Sequence, residues 1–324
     1  MVLNFARRSR ALLVLIRNVV YDLVRYYSAA ASNAKRMNDP QLRARLFQRS
    51  HSIEKGLAMP NIRPGFGIAP LKELNVLLRE YEKRGLSIDD VSYLSAKHAI
   101  TAYVEYHTSR SLPIPADVKF LSELTVLSSV PQIGGVVELN AIEQMVAGKG
   151  DFDQLSKTRR SARMFSPQAV DYQDIRAAVE IAARSPSVCN RQAGRVRVIE
   201  KPELLKQVLE LQGGNRGFGS EIPCVLLVTC YLGLFRGARE RNQCWIDGGL
   251  FSMTLLYALT FKQYATCPLN WSSDYKQDKE LRRMLDLPDD EVVIMLIATG
   301  KSPDNYRVAS SARRSIDDVL LKTY

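Results

Sequence analysis

The chain has 324 residues, of which 46% are apolar and 24% charged, with a formal net charge of +11. That make-up belongs to a soluble globular protein able to build a core without disulfide or metal staples. The charge is uneven: residues 1–50 hold ten Arg or Lys against Asp22 and Asp39, a net of +8, which leaves +3 for the other 274 residues. A partner drawn by positive charge is therefore to be sought at the N-terminal arm.

The first element is Ala11 to Tyr27, ALLVLIRNVVYDLVRYY. Arg17, Asn18, Asp22 and Arg25 interrupt it, so it falls short of a membrane span, and charge inside the apolar core argues against a signal peptide. Leu12, Leu15, Ile16, Val19, Val20, Leu23 and Val24 make one helical stripe flanked by arginines. Two readings stand: a basic helix lying on an anionic membrane surface through residues 1–27, or a helix docked on the protein's own body. Helices are predicted over 34–58, 70–85 (with Gly85 as the stop) and 88–111. A Pro-bearing break at SLPIPADV follows, then an ambiguous stretch to about 150, where AGKGDFDQL suits a boundary. The expected organisation is a helical region over 1–150 and a second domain over 151–324.

From about residue 155 helices alternate with short strands. A helix is expected within 166–185, a strand at 194–200, a helix at 203–212 and a buried strand at 222–230. A buried helix at 246–261, a helix at 278–287 and a second buried strand at 291–300 follow. TCPLNW (266–271) reads as a Pro-containing turn. The pattern is mixed α/β within one unit.

Chemistry is limited by what is missing. His51, His98 and His107 all lie in the N-terminal half, so the C-terminal half alone has no Ser-His or Cys-His system and no His-ligated zinc. The five cysteines form no CxxC and read as reduced thiols of a cytoplasmic protein. A bound cofactor is the simplest remaining source of reactivity. In KTRRSARMF, Arg159, Ser161 and Arg163 alternate, so an extended backbone would put two guanidinium forks and a hydroxyl on one side, suited to a phosphate. SPSVCNRQ (185–192) offers Asn and Gln amides that donate and accept at once, as a heterocycle with mixed edge groups requires. GGNRGFG (213–219) precedes a strand and is not a dinucleotide fingerprint, which follows one.

Taken in order, RRSAR, PSxxNxQ, the WIDGGLFSMTLLYAL helix, TCPLN and the arm GKSPDNYRVASSARRSIDDVL resemble the nitroreductase superfamily over about residues 155–320. The resemblance implies an α+β fold, a mainly antiparallel sheet wrapped by helices, in a domain-swapped homodimer binding FMN. It further implies that Arg159, Ser161 and Arg163 hold the FMN phosphate and ribityl chain, completed by Arg313, with Arg314 or Arg307 as lesser candidates. Pro186, Ser187, Asn190 and Gln192 would reach the flavin from the second subunit, Asn215 would contact the isoalloxazine, and Pro268, Leu269 and Asn270 would line its reactive edge. NAD(P)H would deliver hydride through flavin N5 to a small or carbohydrate-linked substrate, with no metal and no catalytic His.

The chain departs from the family at three places. Ala193 and Gly194 stand where Pro-Trp often follows the Gln, Met253 and Thr254 replace the usual Gln-Asn, and FKQYATC lacks the usual Gly. The first and last of these bear on the substrate side. The N-terminal half, with HSIEKGLAMPNIRPGFG (51–67), is similar to extensions on nitroreductase-like proteins associated with surface-polysaccharide genes. It reads either as a cover over the flavin pocket through His51, Glu54 or Lys55, or as a stabilising helical cap. The alternatives are a flavin-consuming or deiodinase-like relative and a non-catalytic, dimeric, membrane-peripheral partner in a biosynthetic complex. The basic arm has no recognised nucleic-acid motif or base-stacking aromatics.

Overall fold

A computed structural model of the chain describes residues 10, 12–13, 15–16, 19–20, 37–124, 133–147, 149–188, 191–235 and 238–322. The fold is α+β and divides into two compact units, one of residues 1–33 and 140–304, the other of residues 34–139 and 305–324. The units thus interleave along the chain, where the sequence reading draws a single cut at residue 150.

The helical unit begins at α1 (Asp39–Leu57). Asn38 caps it by accepting the Gln41 N–H (2.9 Å), and the Gln41 side chain accepts the Asn38 N–H in return (3.0 Å). Leu42, Leu46, Ile53 and Leu57 recur on one face and are fully buried with Leu71, Leu74, Leu78 and Tyr81 of α2 (Ile68–Lys83) and Ala96, Ile100 and Tyr103 of α3 (Val91–Ser109). All three predicted helices are present, and Gly85 follows α2 with φ +64° as its stop. Two short strands, β1 (Val136–Asn140) and, late in the chain, β6 (Asn305–Ala309), pair in a two-stranded sheet that the sequence reading does not contain.

HSIEKGLAMPNIRPGFG is largely explained inside this unit. Glu54, 2% exposed, accepts the Gly135 N–H at 3.0 Å and sits 3.5 Å from His51 Nδ1. A Cβ on Gly56 would meet the Phe66 ring at 2.0 Å, and Phe66 packs edge-on against Tyr103. His107 is fully buried: its Nδ1 lies 2.9 Å from the Tyr103 carbonyl, and its Nε2 accepts the Gly65 N–H at 3.1 Å. The two contacts assign a neutral ring with the proton on Nδ1. Burial pushes the His98 pKa down.

The second unit carries α4 (Ala141–Ala147), α5 (Phe152–Thr158), α6 (Tyr172–Ala182), β2 (Gly194–Ile199), α7 (Pro202–Gln212) and β3 (Cys224–Tyr231). It continues with α8 (Gln243–Phe261), β4 (Ala265–Asn270), α9 (Tyr275–Leu285) and β5 (Glu291–Gly300). Its four-stranded sheet has the order β2-β3-β5-β4, antiparallel throughout. TCPLN is therefore an edge strand and not the expected turn. An edge tolerates Pro268 because the missing N–H would face away from the neighbour. α8 and α6 pack Leu255, Leu259, Ile175 and Ala178 against Leu226, Val228 and Ile297 of the sheet. Among the described residues α8 is the one helix long and apolar enough to cross a membrane; half of that stretch is buried within the protein.

Across the sheet, Arg197 on β2 makes a two-pronged contact with Glu291 on β5 (2.6 and 3.1 Å), and Thr229 on β3 donates to the same carboxylate (2.5 Å). The Arg197 guanidinium holds Glu291 below the usual carboxylate range although burial works the other way. Its stabilising contribution is complete above the pKa of an unfolded glutamate and fades as pH falls through the depressed folded value.

Gly56→Ala tests the helical packing. The added methyl must displace the Phe66 ring, so urea unfolding should show a loss of about 1–3 kcal/mol.

Candidate functional site

The expected phosphate clamp starts where α5 ends. Arg159 is its C-terminal cap, in extended conformation, and the chain then runs alongside the edge strand β4. Ser161 forms a parallel bridge with Thr266, Ala162 N–H donates to the Thr266 carbonyl (2.9 Å), and Ser166 N–H donates to the Lys301 carbonyl (2.8 Å). Arg159 and Ser161 are half-buried, whereas Ala162 and Arg163 are both buried, so the simple alternation expected of a flat strand is broken here. Arg163 is 6% exposed; one terminal nitrogen donates to the Ser161 carbonyl at 3.3 Å, and its Nε has no hydrogen-bond partner. The buried hydroxyls of Thr266 and Thr299 are also without a partner, and these two residues face each other across the β4–β5 ladder.

Each such group costs about 1–3 kcal/mol if left unsatisfied in the interior, and a bound polar group would relieve that cost. Two guanidinium groups, Arg159 and Arg163, with the Ser161 hydroxyl on the same short run are donors of the kind that suit an anionic phosphate. By that test the residues present are compatible with FMN.

The loop 185–192 is the second element. Asn190 lies outside the described residues. Pro186, Ser187 and Gln192 line one cavity of ≈ 530 Å³ with Asp247 and Phe251 of α8. Several bonds fix this loop. The Val188 N–H donates to Asp247 (3.2 Å), the Ser185 hydroxyl to Thr254 (2.7 Å), and the Gln192 N–H to the Ser187 hydroxyl (3.0 Å). Arg191 forms a fork with Glu240 (2.9 and 3.0 Å). Asp247 is 4% exposed and also accepts from Gln243 (2.9 Å), which satisfies a carboxylate inside an otherwise apolar helix. Gly194 lies directly under the Phe251 ring, 2.9 Å from where a Cβ would stand. A side chain at position 194 would require the Phe251 ring to move.

Asn215 lines a different cavity, of ≈ 640 Å³, with Phe218, Lys206 and Glu210. Its amide donates to the Leu209 carbonyl (2.5 Å) and to Gln212 (3.1 Å), and Gln212 in turn donates to the Asn270 carbonyl (3.0 Å). Gln212 thereby joins two of the expected residues, Asn215 and Asn270, from the ends of α7 and β4. Leu269 is buried and Pro268 half-buried on that strand. Arg313 belongs to the helical unit, where it donates to the Ser311 carbonyl.

Asp247, Gln212, Thr266 and Thr299 are absent from the sequence reading. Asp247 had a signal, as the lone charge in QCWIDGGLFSMTLLYALTF. Burial pushes Cys224 and Cys230 up to about 12 and raises Cys244 as well, so these are packing thiols.

A model of the nitroreductase family matches residues 157–215, which hold the clamp, the 185–192 loop and Asn215. A Streptococcus pyogenes protein named as an NAD(P)H nitroreductase is 42% identical over 57 residues, 17% of this chain and 28% of that protein. The chain thus aligns with just over a quarter of the length of that relative. Among solved structures, a nitroreductase family protein from Streptococcus pneumoniae is 20% identical with a TM-score of 0.48, over 53% of this chain and 100% of that one. A nitroreductase in complex with FMN from Exiguobacterium sibiricum is 21% identical with a TM-score of 0.46, over 54% and 98%. The resemblance to the nitroreductase family read from the motifs is borne out over the matched segment.

Asp247→Asn should free the loop. The Val188 amide loses a charged acceptor worth about 1.5–3 kcal/mol, so its hydrogen exchange should accelerate roughly 10- to 100-fold while sheet amides stay protected. Separately, iodoacetamide at pH 8 should leave Cys224 and Cys230 unmodified in the folded protein and label both in urea.

Proposed function

We propose that the chain is an FMN-dependent oxidoreductase of the nitroreductase type that draws on NAD(P)H and acts as a homodimer. The observation that carries this reading is the buried, unpartnered Nε of Arg163, which lies within the segment the family model matches. When bound, FMN supplies the two-electron chemistry that the chain's own side chains lack.

The protein's part is to bind and orient. Arg159, Ser161 and Arg163 hold the phosphate and ribityl chain; Pro186, Ser187, Asn190 and Gln192 approach from the second subunit. Asn215, Pro268, Leu269 and Asn270 border the ring. Asp247 and the Arg191–Glu240 fork hold the described parts of this loop at Val188 and Arg191. Support for a dimer comes from the outer side of α8, where Trp245, Ile246, Leu250 and Phe261 are large, apolar and exposed.

The purified protein should be yellow and release about one FMN per chain. Arg159→Ala, at a half-buried position, should weaken FMN binding roughly 10- to 100-fold, the worth of one charge-assisted bond. Arg159→Ala with Arg163→Ala should abolish retention, with circular dichroism reporting the fold. A colourless protein that takes up no added FMN, or a folded double variant that still holds it normally, would overturn the assignment. An NAD(P)H-driven screen over nitroaromatic, quinone and carbohydrate-linked oxidants then identifies the second substrate.

A further inference from the structure

The N-terminal segment plays no part in the site above, yet it is the most basic and among the most exposed apolar parts of the molecule. Its described positions, Arg10, Leu12, Leu13, Leu15, Ile16, Val19 and Val20, are all helical. The six large apolar side chains among them are between 38% and 62% exposed, so none of the described residues buries them. At about 100° per residue, they fall within an arc of roughly 160°, with Arg10 outside it. Single exposed apolar residues are ordinary; six on one helical face are not.

We propose that this helix docks the protein on the surface of a bilayer containing anionic phospholipid, lying in the interface without crossing it. The apolar arc enters the boundary between headgroups and acyl chains. The segment's net positive charge, five arginines against Asp22 in the sequence, draws it to the anionic lipid, with Arg10 outside the apolar arc. Charge selects this occupant over a second copy of the chain, because residues 1–33 hold five arginines against Asp22, a net of +4 in each copy, and two such arms repel. A nucleic acid would take the charge and leave the apolar arc in water. A spanning role does not fit either, since Arg17, Asp22 and Arg25 fall within Ala11 to Tyr27.

The test uses the full chain, sedimented with vesicles of phosphatidylcholine containing about one-third phosphatidylglycerol and with vesicles of phosphatidylcholine alone. It should travel with the first and not the second, and return to the supernatant in about 0.5 M salt. Ile16→Glu with Val19→Glu should abolish the association. Arg7→Gln with Arg10→Gln should lower it roughly 30-fold, at about five-fold per cationic side chain near an anionic surface. Both variants should keep the circular dichroism of the parent. The proposal fails if the parent stays in the supernatant, if the Glu variant binds as well as the parent, or if binding survives both salt and alkaline carbonate, as a spanning helix would. It fails equally if the Glu substitutions act only on the oligomeric state measured without vesicles.

Discussion

Seven consecutive residues of β3, Cys224 to Cys230, are buried, and a strand that can show neither face to water dictates what surrounds it. One face needs a helix that is itself apolar nearly all round, which is the role of α8. Both long edges need partners, supplied by β2 and β5. Once α8 is committed to the core, the one charge it carries there, Asp247, must be satisfied inside the protein, and the backbone of the 185–192 loop supplies the donor. The shape of the candidate binding loop is thus a by-product of burying β3.

The same logic runs along the other edge of the sheet. β4 is an edge strand that includes a proline, and its open side is partly covered by the extended run through Ser161 and Ala162. That cover brings Arg163 into the interior with a free Nε, at the junction where two threonine hydroxyls also lack partners. The residues that cover this sheet edge are thus the same few that are proposed to hold an anion.

Much of this was legible from local signals. β5 is a ten-residue apolar run ended by Gly300, and its bounds match the reading; α1 to α3 announce themselves by leucine spacing and by Gly85. β4 was misread because a proline in a five-letter motif looks the same in a turn and on an edge, and only pairing with β5 distinguishes them. β1 and β6 are five residues each, too short for a periodic signature. The order of the motifs singled out residues 159–163 and the 185–192 loop as candidates. The partners that fix them, Asp247 for Val188, Gln212 between Asn215 and Asn270, and Thr299 opposite Thr266, depend on strand register and helix rotation between distant segments, which no local pattern encodes.

The strand order β2-β3-β5-β4 has a bearing on synthesis. A growing chain delivers β2 and β3 early, and they can pair at once. β4 emerges next, but its ladder partner is β5, which is made after it and must slot between two strands already present. Until residue 300 has left the ribosome, β3 keeps one edge open and β4 has only the short bridge at Ser161 to lean on. The sheet closes from the middle and last, which makes the nascent protein dependent on protection of a bare, strongly apolar strand edge for the seconds that the final stretch takes to appear.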